Sequence, residues 1–226
     1  MSHPPHAHHD GKSRRDMSPF AIDHVIAGCR DLAHAVNVIE SATGVRAAAG
    51  GTHHGKGTRN ALLSLGHLRY LEIIAPDPEQ PRLEWFRGIA ELEEPRLIGW
   101  AAAGGDITGV AQRLRDAHLA FTGPLTGTRT RPDGVTLEWR TIMLDDDAGG
   151  MLPFFIEWGA GSIHPSVTAP AGCELVRFDA ADTGAAPWTR TAAALGIDLP
   201  LAPPAAHGAP ARLRGTIRGP SGTLQL

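Results

Sequence analysis

Three observations predict an α+β fold built from a repeated β-α-β-β-β unit. Two stretches of the chain run through the same order of strand-like and helix-like hydrophobic periodicity. The candidate helix caps Asp31 and Asp106 stand 75 residues apart, and at that offset IDHVIAGCRDL faces LIGWAAAGGDI, apolar against apolar at most positions. Near the end of each unit YLEII is echoed by FIEWG at an offset of 85, the extra ten residues fitting a longer second hairpin.

In the first unit, residues 20–27 form a β-rich run. Asp31 then caps a helix over 32–42, whose Leu32, Ala35, Val36 and Ile39 recur at helical spacing, and Gly44 ends it. Residues 45–49 read as a short strand, and GGTHHGKG at 50–57 as a glycine-rich loop that serves as a flap carrying His53 and His54. Strands at 60–65 and 68–74 meet around Gly66-His67, and Pro76, Pro78 and Pro81 close the unit. The second unit repeats the order: a strand at 97–103, the cap Asp106, a helix at 107–118, two strands around Phe121 and Arg129, a strand at 135–144, an acidic turn at 145–147 and a strand at 153–158. A partial third β-α-β-β unit follows, with strands at 174–179, 213–217 and 223–226, a helix at 188–195 and a proline-rich connector at 200–210. The expected organisation is a His-rich leader over 1–18 without stable structure, a domain over 19–160 (modules 19–80 and 95–160), and a C-terminal unit over 161–226 packed on it.

Composition narrows the class of function. A formal charge of −3 on 226 residues provides no basic field for nucleic acid or acidic lipid. Two cysteines, Cys29 and Cys173, are too few for a disulfide framework or a cysteine-based zinc site. No apolar run approaches the roughly 18–20 residues of a membrane span, and the N-terminus lacks the apolar segment of a signal peptide, so a cytoplasmic setting is expected. Four of the 12 histidines fall in the first nine positions, where a leader poor in apolar residues makes a badly preorganised ligand cluster. The more informative histidine is His24, inside an apolar strand.

Alternation along a strand places His24 on the face of Ile22 and Ile26, Glu72 with Tyr70 and Ile74, and Glu157 with Phe155 and Gly159. Charged groups in such strands are paired, metal-bound or neutralised. One imidazole and two carboxylates would make a three-ligand site for a divalent cation (Zn, Ni, Mn or Fe) with positions left for water or substrate. The competing solutions are an arginine partner (Arg59, Arg69 or Arg140) for a buried glutamate, and a core role for His24. Arg140, between two apolar runs, suits a substrate carboxylate or phosphate, or equally a pairing with Glu138. Asn60 and His53 are further candidates for substrate contact.

The runs Ile-Asp-His-Val-Ile, Tyr-Leu-Glu-Ile-Ile-Ala-Pro-Asp-Pro and Phe-Phe-Ile-Glu-Trp, with GGTHHGKGTRNALL after the first helix and His164-Pro165-Ser166 beyond the second module, resemble the vicinal-oxygen-chelate superfamily, specifically its glyoxalase-like domain proteins. The resemblance implies two βαβββ modules in a cupped, barrel-like mixed sheet of the glyoxalase/bleomycin-resistance/dihydroxybiphenyl-dioxygenase type. It also implies a divalent metal on the inner face, held from the first and last strands of each module. Carried over, it makes His24, Glu72 and Glu157 metal ligands, with Glu72 or Glu157 as catalytic proton shuttle. The fourth position falls on Gly99, beside Trp100, which becomes the aromatic candidate for substrate contact. The implied function is lyase- or isomerase-type chemistry on a small oxygen-rich metabolite through a stabilised enolate or oxyanion. The alternative is non-catalytic sequestration of a small molecule, as in bleomycin resistance. The expected partners are a small-molecule ligand or substrate, with no nucleic acid or membrane, in a monomer or homodimer.

Overall fold

The computed structural model describes residues 18–226 apart from positions 81, 85, 132 and 207 and the side chain at 87. The histidine cluster of the leader and Trp85 lie outside the described residues. The first module comprises β1 (Ala21–Gly28), α1 (Leu32–Thr43), β2 (Ala48–His53), β3 (Thr58–Ser64) and β4 (Tyr70–Pro76). The second comprises β5 (Arg96–Ala103), α2 (Ile107–Asp116), β6 (Phe121–Thr130), β7 (Thr136–Leu144) and β8 (Phe154–Trp158). Asp31 caps α1 by accepting from the amides of Ala33 and His34, Gly44 closes that helix at φ 79°, and Asp106 caps α2 through the amide of Thr108.

All eight strands form one sheet in the order β2-β3-β4-β1-β5-β8-β7-β6. The first and last strands of each module are parallel neighbours, and β1 and β5 run antiparallel across the centre. The order therefore reads the same from either end, with a pseudo-twofold axis between β1 and β5. On one face Val25, Leu63, Leu71 and Ile73 meet Ala35 and Ile39 of α1, while Ile142 and Phe155 meet Ile107, Val110 and Leu114 of α2. Each fully buried Leu or Ile there stabilises the fold by about 1.5–3 kcal/mol. The other, concave face carries a separate apolar cluster of Ile26, Ile74 and Ile89, with Ile98, Phe86 and Phe154 against it.

The sheet curls until its two end strands approach each other, and this corrects the reading of the glycine-rich segment. Residues 50–53 belong to β2, paired with β3, so His53 is held on a strand and not on a flap. A Cβ at Gly50 would collide with Asn60 Oδ1 and Arg129 Nη1, and one at Gly51 would lie 3.1 Å from Arg129 Cδ. The paired glycines are what lets the arginine of β6 cross the seam.

Beyond the second module come the short helix α3 (Pro165–Thr168), β9 (Glu174–Ala181), α4 (Pro187–Leu195), β10 (Leu201–Ala202), β11 (Arg212–Gly219) and β12 (Gly222–Gln225). Their strands form a second sheet, β10-β9-β11-β12, in which β9 pairs antiparallel with β11 and parallel with β10. Leu175, Phe178, Leu213 and Ile217 join the same buried cluster as the helix-covered face of the large sheet.

Candidate functional site

The pairing of β1 with β5 slips by one residue between Ile22 and His24, leaving Asp23 as the extra residue of a β-bulge. Strict alternation would send Asp23 and His24 to opposite faces; the bulge turns Asp23 so that both side chains meet. Asp23 Oδ1 lies 2.7 Å from His24 Nδ1, and Oδ2 accepts from Trp158 Nε1 at 3.0 Å and lies 3.1 Å from His164 Nε2. Burial alone would raise the Asp23 pKa. The hydrogen bonds from His164 and His24 outweigh it and hold the carboxyl well below its usual range. An ionised Asp23 fixes the tautomers: His24 carries its proton on Nδ1 and His164 on Nε2. His164 Nδ1 then accepts from Ser166, whose Oγ is 2.8 Å away and whose amide is 3.2 Å away.

With Nδ1 committed, His24 presents Nε2 to Glu72 Oε2 at 3.6 Å. The other oxygen of Glu72 lies 3.6 Å from His53 Nε2 and accepts from Asn60 Nδ2 at 2.5 Å. His53 is oriented in turn by Thr58 Oγ1, 2.9 Å from its Nδ1. Arg129, buried at 6% exposure, donates from Nη1 to Asn60 Oδ1 at 3.2 Å, while its Nε has no hydrogen-bond partner among the described residues. Burial pushes Glu72 up, but His53 and His24, the Asn60 hydrogen bond and Arg129 more than reverse this, so its pKa is lowered. Burial lowers the pKa of His53, opposed by the charge of Glu72. Tyr70 stacks on His24 with ring centroids 4.5 Å apart, and Phe154 closes the other side at 5.4 Å. The result is a continuous polar chain, Ser166–His164–Asp23–His24–Glu72–His53–Thr58. Its two contacts of 3.6 Å, either side of Glu72, exceed hydrogen-bond length and couple the imidazoles to the carboxylate through space.

The structure brings together His24, Glu72, His53 and Asn60 of the sequence candidates, and separates Glu157, Arg140 and Trp100 from them. Glu157 shares a face with Phe155, on the helix side of the sheet. Its Oε2 accepts from the Ile107 amide at the start of α2 at 2.6 Å, and its Oε1 accepts from Arg140 at 2.6 Å. It is a helix-terminal anion and not a third cup ligand. Arg140 is committed to that carboxylate, with Asp106 3.6 Å away, and the Glu157 hydrogen bond raises its pKa further. Trp100 is core: its indole donates to Met151 O and packs on Phe178 with centroids 5.4 Å apart.

The sheet register explains why Glu157 misled. In module one Ile26 pairs with Glu72; in module two Ala101, the counterpart of Ile26, pairs with Phe154. Phe154 therefore occupies the Glu72 position, and Gly99 the His24 position. Even the bulge is repeated, with Ile98 in the place of Asp23. One half of the cup is polar and its mirror half is apolar.

These residues do not fit the metal arrangement that the resemblance implies, because two of its four positions are glycine and phenylalanine. Glu72 faces an amide donor with a guanidinium behind it, surroundings that disfavour a cation. Among the described residues no group of three or more His, Cys, Asp or Glu could hold a metal ion. Sequence reading missed Asp23, Arg129 and His164 as site residues. The available signals were Asp-His side by side in an otherwise apolar strand and the His164-Pro165-Ser166 run beyond the second module.

A solved structure of the same architecture spans most of the chain. A hypothetical protein from Staphylococcus aureus superimposes with a TM-score of 0.63, covering 91% of this chain and 85% of its own at 16% identity. Methylmalonyl-CoA epimerase from Mycobacterium tuberculosis gives 0.42, covering 61% of this chain and 85% of its own at 21% identity. A Streptomyces coelicolor methylmalonyl-CoA epimerase in complex with 2-nitronate-propionyl-CoA gives 0.45, covering 63% and 97% at 19% identity. No curated protein sequence matches significantly. The family model described as a glyoxalase-like domain matches residues 22–196, and the chain accordingly belongs to that family of the vicinal-oxygen-chelate superfamily.

Proposed function

We propose that the polar half of the cup is a proton-transfer site, giving isomerase- or lyase-type chemistry on a small oxygen-rich metabolite. The observation that carries this is Glu72, buried yet ionised, with an imidazole 3.6 Å from each of its oxygens. A carboxylate held below its usual pKa accepts a proton at neutral pH and does not donate one. Glu72 removes the proton from carbon beside a substrate carbonyl and shares it with the bare Nε2 of His24; the same proton then returns, from Glu72 or from the His24 imidazolium, to the enolate oxygen or to carbon. Asp23, accepting from His24 Nδ1, stabilises the imidazolium whenever Nε2 takes up a proton. No step is routed through a metal, and Glu157 and Arg140 have no part in the chemistry.

Non-catalytic sequestration is the second reading. It is favoured by the rings of Tyr70, Trp158 and Phe154 around the polar cluster and by the apolar mirror half. Proton NMR in D2O separates the two, applied to a panel of 2-hydroxyketones, 2-oxo acids and 2-acyl esters. Catalysis predicts exchange of a carbon-bound proton that slows about 10²–10⁴-fold in Glu72→Gln and persists in Glu157→Gln. A panel member that binds without exchange supports sequestration, and equal exchange in Glu72→Gln excludes that residue as the base.

A further inference from the structure

Away from the polar cluster, a cleft of about 1060 Å³ opens between the C-terminal sheet, β5, the 3-10 turn Arg87–Glu91 and the connector that includes Pro204 and Pro210. Every charged side chain described on its walls is an arginine, Arg96, Arg177, Arg212 and Arg214, and the carboxyl group of Leu226 also lies on the wall. Arg177 and Arg214 both bind Asp179, which is 2% exposed and ties β9 to β11. Arg96 and Arg212 have no ion pair or side-chain hydrogen bond among the described residues. The cleft thus holds a net excess of positive charge over an apolar floor of Phe86, Ile89, Leu97 and Leu213. Low-dielectric walls strengthen that field, and guanidinium groups suit carboxylate or phosphate oxygens. The volume lies at the upper end of the range of small-molecule sites.

We propose that this cleft binds one anionic amphiphile, its oxyanion head on Arg96 and Arg212 and its hydrocarbon body along the apolar floor. A recess between two sheets suits a single dissolved molecule and not a bilayer surface. Arg212 and Arg214 lie outside residues 22–196, so the site is built partly from chain that the family match does not cover. Nothing in it depends on the proton-transfer proposal.

The test is calorimetric titration of the full chain with decyl phosphate below its micellar concentration, beside inorganic phosphate, decanol and anionic vesicles. One decyl phosphate per chain is expected, with affinity falling at higher salt, at least ten-fold weaker in the Arg96→Ala/Arg212→Ala double variant and unchanged in Glu72→Gln. Both arginines are exposed, so the double variant keeps its fold, as an unchanged circular dichroism spectrum would verify. Equal affinity in the double variant, inorganic phosphate binding as tightly as decyl phosphate, or binding to vesicles alone would each overturn the proposal.

Discussion

Asp23 holds the polar half of the cup together, because one carboxylate serves its neighbour His24 and also Trp158 and His164 from the end of the second module and just beyond it. Asp23→Ala strands those donors in a buried site and is expected to cost about 3–5 kcal/mol, measured by urea unfolding at pH 7. Its folded pKa lies below the unfolded value of about 3.9, so the stabilisation is present above that pH and is lost as pH falls through the folded value. The deficit of the variant should therefore shrink toward strong acid; a deficit independent of pH would contradict an ionised Asp23. Glu157, by contrast, anchors the start of α2. Glu157→Gln should lower stability by about 0.5–2 kcal/mol without altering any exchange activity. His24 and Glu72 were legible as candidates because an imidazole and a carboxylate interrupt apolar strands. Asp23 was not, since period-2 reasoning sends it to the opposite face and only a bulge brings it back.

At the scale of elements, the helices and the central strands followed directly from periodicity and caps, whereas β2 did not. GGTHHGKG has the composition of a loop, and its strand conformation is imposed by pairing with β3 and by the side chains that need the missing Cβ atoms. Gly50 tests this. Gly50→Ala should cost about 1–3 kcal/mol by overpacking against Asn60 and Arg129, read as a lowered urea midpoint. It should also disturb the His53 imidazole resonances, which Gly109→Ala, facing open space on α2, should leave in place. The position of Glu157 was misread for a related reason: an offset counted along the chain cannot see that the last strand of module two pairs three residues out of step.

Across the whole molecule, a near-symmetric duplication keeps the Asp-His-Glu positions polar in the first module alone, with Arg129 of β6 and His164 reaching in from the second module and beyond it. The positions of Asp23, His24 and Glu72 recur as Ile98, Gly99 and Phe154. With two of the four ligand positions gone, protein lacking residues 1–17 should retain well below one equivalent of Zn, Ni, Mn or Fe after loading and desalting. One equivalent that disappears in His24→Ala would contradict this. The repeat was visible in the sequence, but the asymmetry became readable only once strand register showed which residues are equivalent. Glu72 and its flanking imidazoles act as one electrostatic unit, and NMR titration of the histidine side chains tests this without knowledge of a substrate. His53 should titrate below the ordinary imidazole value of about 6.5, and Glu72→Gln should lower it further by removing the charge that favours the imidazolium. A His53 that titrates at the ordinary value, or is indifferent to Glu72→Gln, would show that the carboxylate and the imidazole are not coupled.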